Sequence, residues 1–258
     1  MSPSLEGRVI LVTRPRNQSA DLVDMLRQRG AQPILAPAIR LTPAPAAVLD
    51  RAVRQAAAGE FEWILFTSQV GVHALFRRLD ALGLTASALA AHIGAIGPAT
   101  AEALAERGVR PELVPKSYTT EALSHAMPSG TGRVLLARAD IAPEGLEATL
   151  EAKGWTALRV EAYRTVLSGH LPAAAARAVT NGTVDGVTFT SASTVDGWVR
   201  MGGPLDGAAM VCIGPVTAAR AEEMGMTVAA VGEPHTIEGL VAALERVLGP
   251  APPREERT

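Results

Sequence analysis

A chain of 258 residues, 48% hydrophobic and 19% charged, carries enough apolar material for one large core or two ordinary ones and excludes a disordered composition. A net charge of −2 provides no general basic surface for nucleic acid or anionic lipid, and 3% aromatic residues leave few platforms for stacked bases. The single cysteine, Cys212, lies in an apolar run, reads as a buried small hydrophobe and excludes an intrachain disulfide.

The N-terminus reads Met-Ser-Pro-Ser-Leu-Glu, with no basic stretch before an apolar core, so no signal peptide is expected. With one cysteine, that points to the cytoplasm. Short β-branched runs then alternate with helical patterns along the chain. Strands are predicted at 9–13, 34–36, 63–67, 92–96, 112–114, 134–137, 186–190, 210–213 and 228–231. Several are apolar throughout, as parallel strands covered on both faces are. Pro98 and Pro215 each follow a glycine and should open helices, where a missing N–H costs nothing. Gly108 and Gly225 suit helix C-termini, where glycine turns left-handed without a Cβ penalty. Thr119 or Thr120, and Thr236, are candidate N-caps. No uninterrupted apolar run reaches membrane-spanning length, and residues 249–258, rich in proline and charge, are expected to be disordered.

The order of these elements repeats. Ile-Gly-Pro at 96–98 recurs at 213–215, an offset of 117 that holds to Leu123 and Leu240. Phe-Thr-Ser at 66–68 recurs at 189–191, and Gly-Arg-Val at 7–9 recurs at 132–134. Three blocks in the same order argue for duplication. The expected fold is therefore α/β, two similar doubly wound parallel-sheet lobes joined by a two-stranded hinge. The segments 32–45 and 157–167 both follow the first helix of a copy and lack helical periodicity. If both cross between lobes, lobe one is 1–37 plus 168–258, lobe two is 40–160, and 38–39 and 161–167 are the crossing strands. Two sequential lobes, 1–128 and 130–258, are the alternative.

Chemistry is expected at the strand ends. Thr67-Ser68, Gly97-Pro98, Thr190-Ser191-Ala192-Ser193 and Gly214-Pro215 each follow a strand and precede a helix, where free N–H groups and the helix dipole favour anions. The candidate binding residues are Arg14, Thr67, Ser68, Gly97, Thr100, Thr190, Ser191, Ser193, Gly214 and Thr217. Ordinary helix capping by the same serines and threonines is the competing explanation. Arg14, beside Pro15, could grip a carboxylate bidentately. The five histidines, 73, 92, 125, 170 and 235, show no metal-ligand spacing, and the only lysines are Lys116 and Lys153, with no phosphate-binding Gly-rich loop around either. No metal site and no nucleotide loop is expected from them. Tyr163, one of two tyrosines, lies in a crossing segment and could present a phenol to the cleft between lobes.

Taken together, Val-Thr-Arg-Pro at 12–15, Phe-Thr-Ser at 66–68, Tyr-Arg-Thr at 163–165, Phe-Thr-Ser at 189–191 and Ile-Gly-Pro-Val-Thr at 213–217 resemble the uroporphyrinogen-III synthase family of tetrapyrrole biosynthesis, from about residue 7 to 248. The resemblance implies two α/β lobes joined by two strands, which favours the crossed arrangement. It implies a lyase that converts the linear tetrapyrrole hydroxymethylbilane into a cyclic product, losing water and inverting ring D through a spiro intermediate without metal or cofactor. It also implies that Tyr163 assists departure of the hydroxyl and that Ser191 and Thr217 line the substrate cleft. Gln69-Val70-Gly71 after the first Phe-Thr-Ser and Val216 in the second Gly-Pro loop depart from the family's pattern. The expected state is a cytoplasmic monomer, with the upstream pathway enzyme as the candidate transient partner. The rival reading is a non-catalytic two-lobe binding or regulatory protein for an anionic small molecule.

Overall fold

A computed structural model of the chain describes residues 4–249. In chain order the elements are β1 (Val9–Val12), α1 (Ala20–Gln28), β2 (Gln32–Leu35), β3 (Ile39–Pro43), α2 (Ala46–Ala57), β4 (Trp63–Phe66), α3 (Gln69–Ala81), β5 (His92–Ala95), α4 (Pro98–Ala105) and α5 (Thr120–Ala126). They continue with β6 (Arg133–Ala139), α6 (Gly145–Ala152), β7 (Thr156–Leu167), α7 (Ala173–Thr180), β8 (Gly186–Phe189), α8 (Ala192–Arg200), β9 (Ala209–Cys212), α9 (Pro215–Glu223), β10 (Val228–Val231) and α10 (Ile237–Leu248).

The chain divides into two units. The first takes the described residues up to Arg40 and again from Val166; the second is Leu41–Thr165. Each holds one five-stranded sheet. The first runs β10-β9-β8-β1-β2, and the second β3-β7-β6-β4-β5. All pairings in the first sheet are parallel, as are β7-β6, β6-β4 and β4-β5 in the second. The strands that run through the two boundaries, β3 and β7, are neighbours in the second sheet.

The strands are covered on both faces, so their apolar runs lack a polar phase. In the first unit Leu11 packs on one side of the sheet with Trp198, Phe189 and Met210, while Ile10 and Val12 pack on the other with Leu22, Leu26, Leu240 and Leu244. In the second, Ile64, Phe66, Leu135 and Ala137 meet Val72, Leu75 and Phe76, and Leu65, Val134 and Leu136 meet Leu123, Leu146 and Leu150. Fully burying one such large side chain stabilises by roughly 1.5–3 kcal/mol. Trp198 adds an indole N–H that donates to the Pro204 carbonyl at 2.9 Å, so its burial leaves no orphaned donor.

Several expected elements differ from the observed ones. The run at 112–114 forms no strand; it makes one parallel bridge, Gly94 to Leu113. Pro111 and Pro115 bracket it, and proline removes the donors a ladder needs. The crossing strands are longer than 38–39 and 161–167. β3 reaches Pro43, and β7 begins at Thr156 because it pairs with β6 from Arg133 onward. β6 likewise extends past 134–137 to Ala139. Strands predicted to reach residues 13, 67, 96, 190 and 213 stop one residue sooner, where each chain turns into the loop or helix that follows. Of the tail expected to be disordered, 250–258 lies outside the described residues.

Candidate active site

In the second unit β4, β5 and β6 are parallel, so their C-terminal ends emerge together. Ser68 follows β4 as the N-cap of α3, in extended backbone, and its Oγ accepts the Gly71 N–H at 3.1 Å. That satisfies one of the donors a helix start leaves open. Gly71 is needed here for packing, since a Cβ would press on the Ala137 carbonyl at 2.6 Å. Gly97 follows β5 as the N-cap of α4, with Pro98 at the first helical position. Gln69 Nε2 donates to the Ala99 carbonyl at 3.0 Å and ties the two loops together.

Tyr163 reaches this end from β7. A register shift between Arg138 and Ala139 sets Tyr163 opposite Ala139, beyond the regular ladder. The Asp140 N–H then donates to the Tyr163 carbonyl at 3.1 Å. The phenol oxygen lies 3.2 Å from Ser68 Oγ. Because Ser68 already accepts from Gly71, its own hydrogen is available to the phenol oxygen. Burial pushes the Tyr163 hydroxyl above its ordinary pKa, and Asp140 adds to that; the Ser68 hydrogen bond and the Arg138 charge work against it. The net direction is upward, so the phenol is held neutral and able to donate.

The most buried cation among the described residues lies at the same end. Arg138, 2% exposed, gives its Nη1 to both Glu147 oxygens at 2.8 and 2.7 Å and to the Pro143 carbonyl at 2.8 Å. Its Nε has no partner. This pair was not legible in the sequence as a pair. The signal was an arginine ending an apolar strand nine residues before a glutamate.

In the first unit β1, β8 and β9 end together. Ser191 caps α8 and forms a capping box: its Oγ accepts the Thr194 N–H at 3.3 Å, and Thr194 Oγ1 accepts the Ser191 N–H at 3.2 Å. Thr194 Oγ1 also accepts from the Thr190 N–H at 3.2 Å, and the Ser191 and Ser193 hydroxyls lie 2.9 Å apart. Gly214 caps α9, again followed by proline. Arg14, just past β1, is partly buried; its Nε has no partner, and desolvation lowers its pKa while the Asp21 charge works the other way.

The candidate residues thus fall into two groups, each at one sheet's C-terminal edge. Thr67, Ser68, Gly97 and Thr100 sit with Tyr163; Arg14, Thr190, Ser191, Ser193, Gly214 and Thr217 form the other group. Thr100 and Thr217, third in their helices, are each only 4% exposed. Cavities of about 420 and 350 Å³ open along α2, lined by Asp50, Arg54 and Glu60 in one and by Arg133, Leu158 and Arg159 in the other. Among the described residues no cluster of three or more His, Cys, Asp or Glu is placed to hold a metal, and no helix is long and apolar enough to cross a membrane.

Fold and site together define a class: a duplicated, doubly wound α/β protein whose strand ends carry hydroxyls, helix starts and a half-buried phenol. The model of the family described as uroporphyrinogen-III synthase HemD matches residues 20–242, and the chain belongs to that family. It is 34% identical over 256 residues to a putative uroporphyrinogen-III synthase of Methanothermobacter thermautotrophicus, covering 92% of this chain and 98% of that one. It is 33% identical over 257 residues to a porphyrin biosynthesis protein HemD of Ruminiclostridium josui; there it spans 96% of its own length and only half of the relative's. Among solved structures, a mutant uroporphyrinogen III synthase of Thermus thermophilus superposes with a TM-score of 0.69 at 24% identity, covering 93% of this chain and 98% of that one. The enzyme of Helicobacter pylori does so at 0.57 and 17%, covering 91% and 97%. At those identities the likeness is one of fold.

Proposed function

We propose that the chain is a uroporphyrinogen-III synthase in which Tyr163 assists loss of the substrate's hydroxyl and the strand-end loops of each unit take up its carboxylates. The observation that carries the reading is the 3.2 Å contact between Ser68 Oγ and the Tyr163 hydroxyl. In this reading Ser68 is the donor of that contact, which leaves the phenol's own hydrogen for the departing hydroxyl of hydroxymethylbilane. A group held above the usual phenol pKa does not surrender its proton outright. It polarises the breaking C–O bond while the pyrrole nitrogen supplies the electron pair; the oxygen leaves as hydroxide hydrogen-bonded to the phenol and takes a proton from solvent to become water. The carbon left electron-deficient is attacked by a ring D carbon, the spiro intermediate reopens, and closure releases the proton of the last C–C bond to solvent. Holding the chain in one folded shape is the larger share of the work, since positioning alone can supply several kcal/mol of a barrier.

Arg14 supports the anion reading in the first unit, because its desolvated Nε has no internal partner and a substrate carboxylate would supply one. The serines and threonines of 67–68 and 190–193 and the Gly97 and Gly214 turns add hydroxyl and N–H donors. Cytoplasmic residence as a monomer completes the proposal. Its support is a single cysteine, Cys212, fully buried and with its thiol pushed up to about 12.

The test is incubation of the purified protein with enzymatically generated hydroxymethylbilane and separation of the product isomers. Type III product is expected. Only the symmetric isomer, which forms unaided, would make the chain a binder rather than a catalyst. Tyr163→Phe should lower turnover by roughly ten- to a thousand-fold, the span usual for a lost proton donor; near-normal turnover removes Tyr163 from its role.

A further inference from the structure

Each Gly-Pro turn lies under a ring. Gly97 is extended backbone, φ −176°, so no left-handed conformation demands glycine there. The contact is steric instead: a Cβ at 97 would meet the Tyr118 side chain at 3.0–3.1 Å, so the ring would have to give by a few tenths of an ångström. Gly214 is also extended, φ −163°, and a Cβ there would lie 3.4 Å from the His235 ring. Positions 118 and 235 differ by 117, the same offset as the two turns, and each immediately precedes a threonine N-cap, Thr119 or Thr236. The duplication has therefore kept a ring over the same glycine in both units while changing which ring it is.

Neither ring is there to fill a core. Tyr118 is 50% exposed and His235 is exposed as well. In a chain with two tyrosines, both stand at the C-terminal strand ends of the second unit. The Tyr118 hydroxyl makes no hydrogen bond to the described residues. His235 is oriented: its Nδ1 lies 2.8 Å from the Gly232 carbonyl, which can only accept, so Nδ1 carries the hydrogen and Nε2 is the open nitrogen. Exposed, positioned rings with a free polar atom at the tip suit a ligand that is flat and apolar at its centre and charged at its rim.

We propose that Tyr118 and His235 are further substrate-contact residues, each ring lying against a pyrrole of the linear tetrapyrrole with the Tyr118 hydroxyl and His235 Nε2 turned to its carboxylates. The inference rests on the uroporphyrinogen-III synthase reading. Contacts of this kind hold substrate and transition state alike, so their loss acts on KM more than on kcat. Tyr118→Ala and His235→Ala, made in the full chain, should each raise KM for hydroxymethylbilane about three- to tenfold, the range that a ring contact is worth. Tyr118→Phe and His235→Phe, which keep a ring, should recover part of the loss. Binding of uroporphyrin III, followed by its fluorescence, should weaken in the same order. If an alanine variant fails to fold, Tyr118→Leu keeps the bulk without the ring and must show the same rise. Alanine or leucine variants that bind and turn over with wild-type KM overturn the proposal. A wild-type chain that yields only the symmetric isomer, yet loses uroporphyrin affinity on Tyr118→Ala, overturns the enzyme reading and leaves the contact standing.

Discussion

The two units are built on one plan and have been put to different chemical use. Ser68 and Ser191 follow equivalent strands, cap equivalent helices and accept the N–H three residues on, from Gly71 and Thr194. There the likeness stops. In the first unit the cap is closed on itself, with Thr194 answering Ser191 in a capping box and Ser193 at 2.9 Å. In the second unit Gly71 has no side chain to answer with, and the serine's remaining hydrogen-bonding capacity goes to Tyr163. Duplication has preserved what folding needs, the caps and the Gly-Pro helix starts. It has released what folding does not need, and Tyr163 stands at a released position.

The same contrast holds at matched positions near the ends of β1 and β6. Thr13 is fully buried and donates its hydroxyl to the Thr188 carbonyl at 2.6 Å. In the second unit the corresponding residue is Arg138, bound to Glu147 on α6. Removing one partner of a buried ion pair strands the other, at a cost of about 3–5 kcal/mol, whereas losing a neutral hydrogen bond costs about 1 kcal/mol. Glu147→Ala should therefore destabilise the second unit several times more than Thr13→Val destabilises the first. Urea unfolding followed separately by native-state hydrogen exchange in each unit measures both. Equal losses would mean that water reaches the Arg138 guanidinium and that the two strand ends are energetically alike.

Much of this was legible in the residues. The repeats at 66–68 and 189–191 and at 96–98 and 213–215 marked both strand-end sets, because caps and Gly-Pro starts are local devices whose chemistry is written within four residues. Tyr163 stood out as a rare residue in a segment without helical period. What local pattern could not supply was partnership. The Ser68 to Tyr163 contact joins residues 95 apart, and it depends on a register shift at Arg138/Ala139 that no dipeptide announces. The run at 112–114 shows the converse, since its apolar pattern read as a strand while its flanking prolines limited it to a single bridge. The equivalence of Tyr118 and His235 was not legible for a similar reason. They fall within the repeat that was aligned, yet a tyrosine opposite a histidine registers as a mismatch until both are seen covering the same glycine.

A smaller effect sharpens the serine comparison. Ser68→Ala and Ser191→Ala both remove an N-cap, so each should cost about 1 kcal/mol of stability in its own unit. Only Ser68→Ala also leaves the Tyr163 oxygen without its hydroxyl partner. One hydrogen bond of that kind corresponds to about a fivefold change in rate, so type III formation should fall in Ser68→Ala by about that factor beyond any fall in Ser191→Ala. Equal turnover in the two variants would reduce Ser68 to a cap and make the second unit no different from the first.

The smallest effect concerns the phenol itself and is read without substrate. Tyr163 is raised above the ordinary phenol range chiefly because burial disfavours the phenolate, with Ser68 and Arg138 offsetting part of that and Asp140 adding to it. The other charges near this edge are already engaged, Glu147 with Arg138, Arg164 with Glu161, and Arg159 with the Ala139, Asp140 and Ala142 carbonyls. The folded state therefore holds the phenol's proton more tightly than the unfolded chain does. Its contribution to stability is present below the unfolded value near ~10 and is lost as pH rises through the higher folded value. In a Tyr118→Phe background Tyr163 is the remaining tyrosine, so the absorbance change of phenolate formation reports on it alone. Its midpoint should lie above that of a free tyrosine, and Ser68→Ala should move it further up, because the hydrogen bond that favours the phenolate is gone. A midpoint at or below the free value would mean that burial does not govern the phenol's proton, and would remove this distinction between the two units.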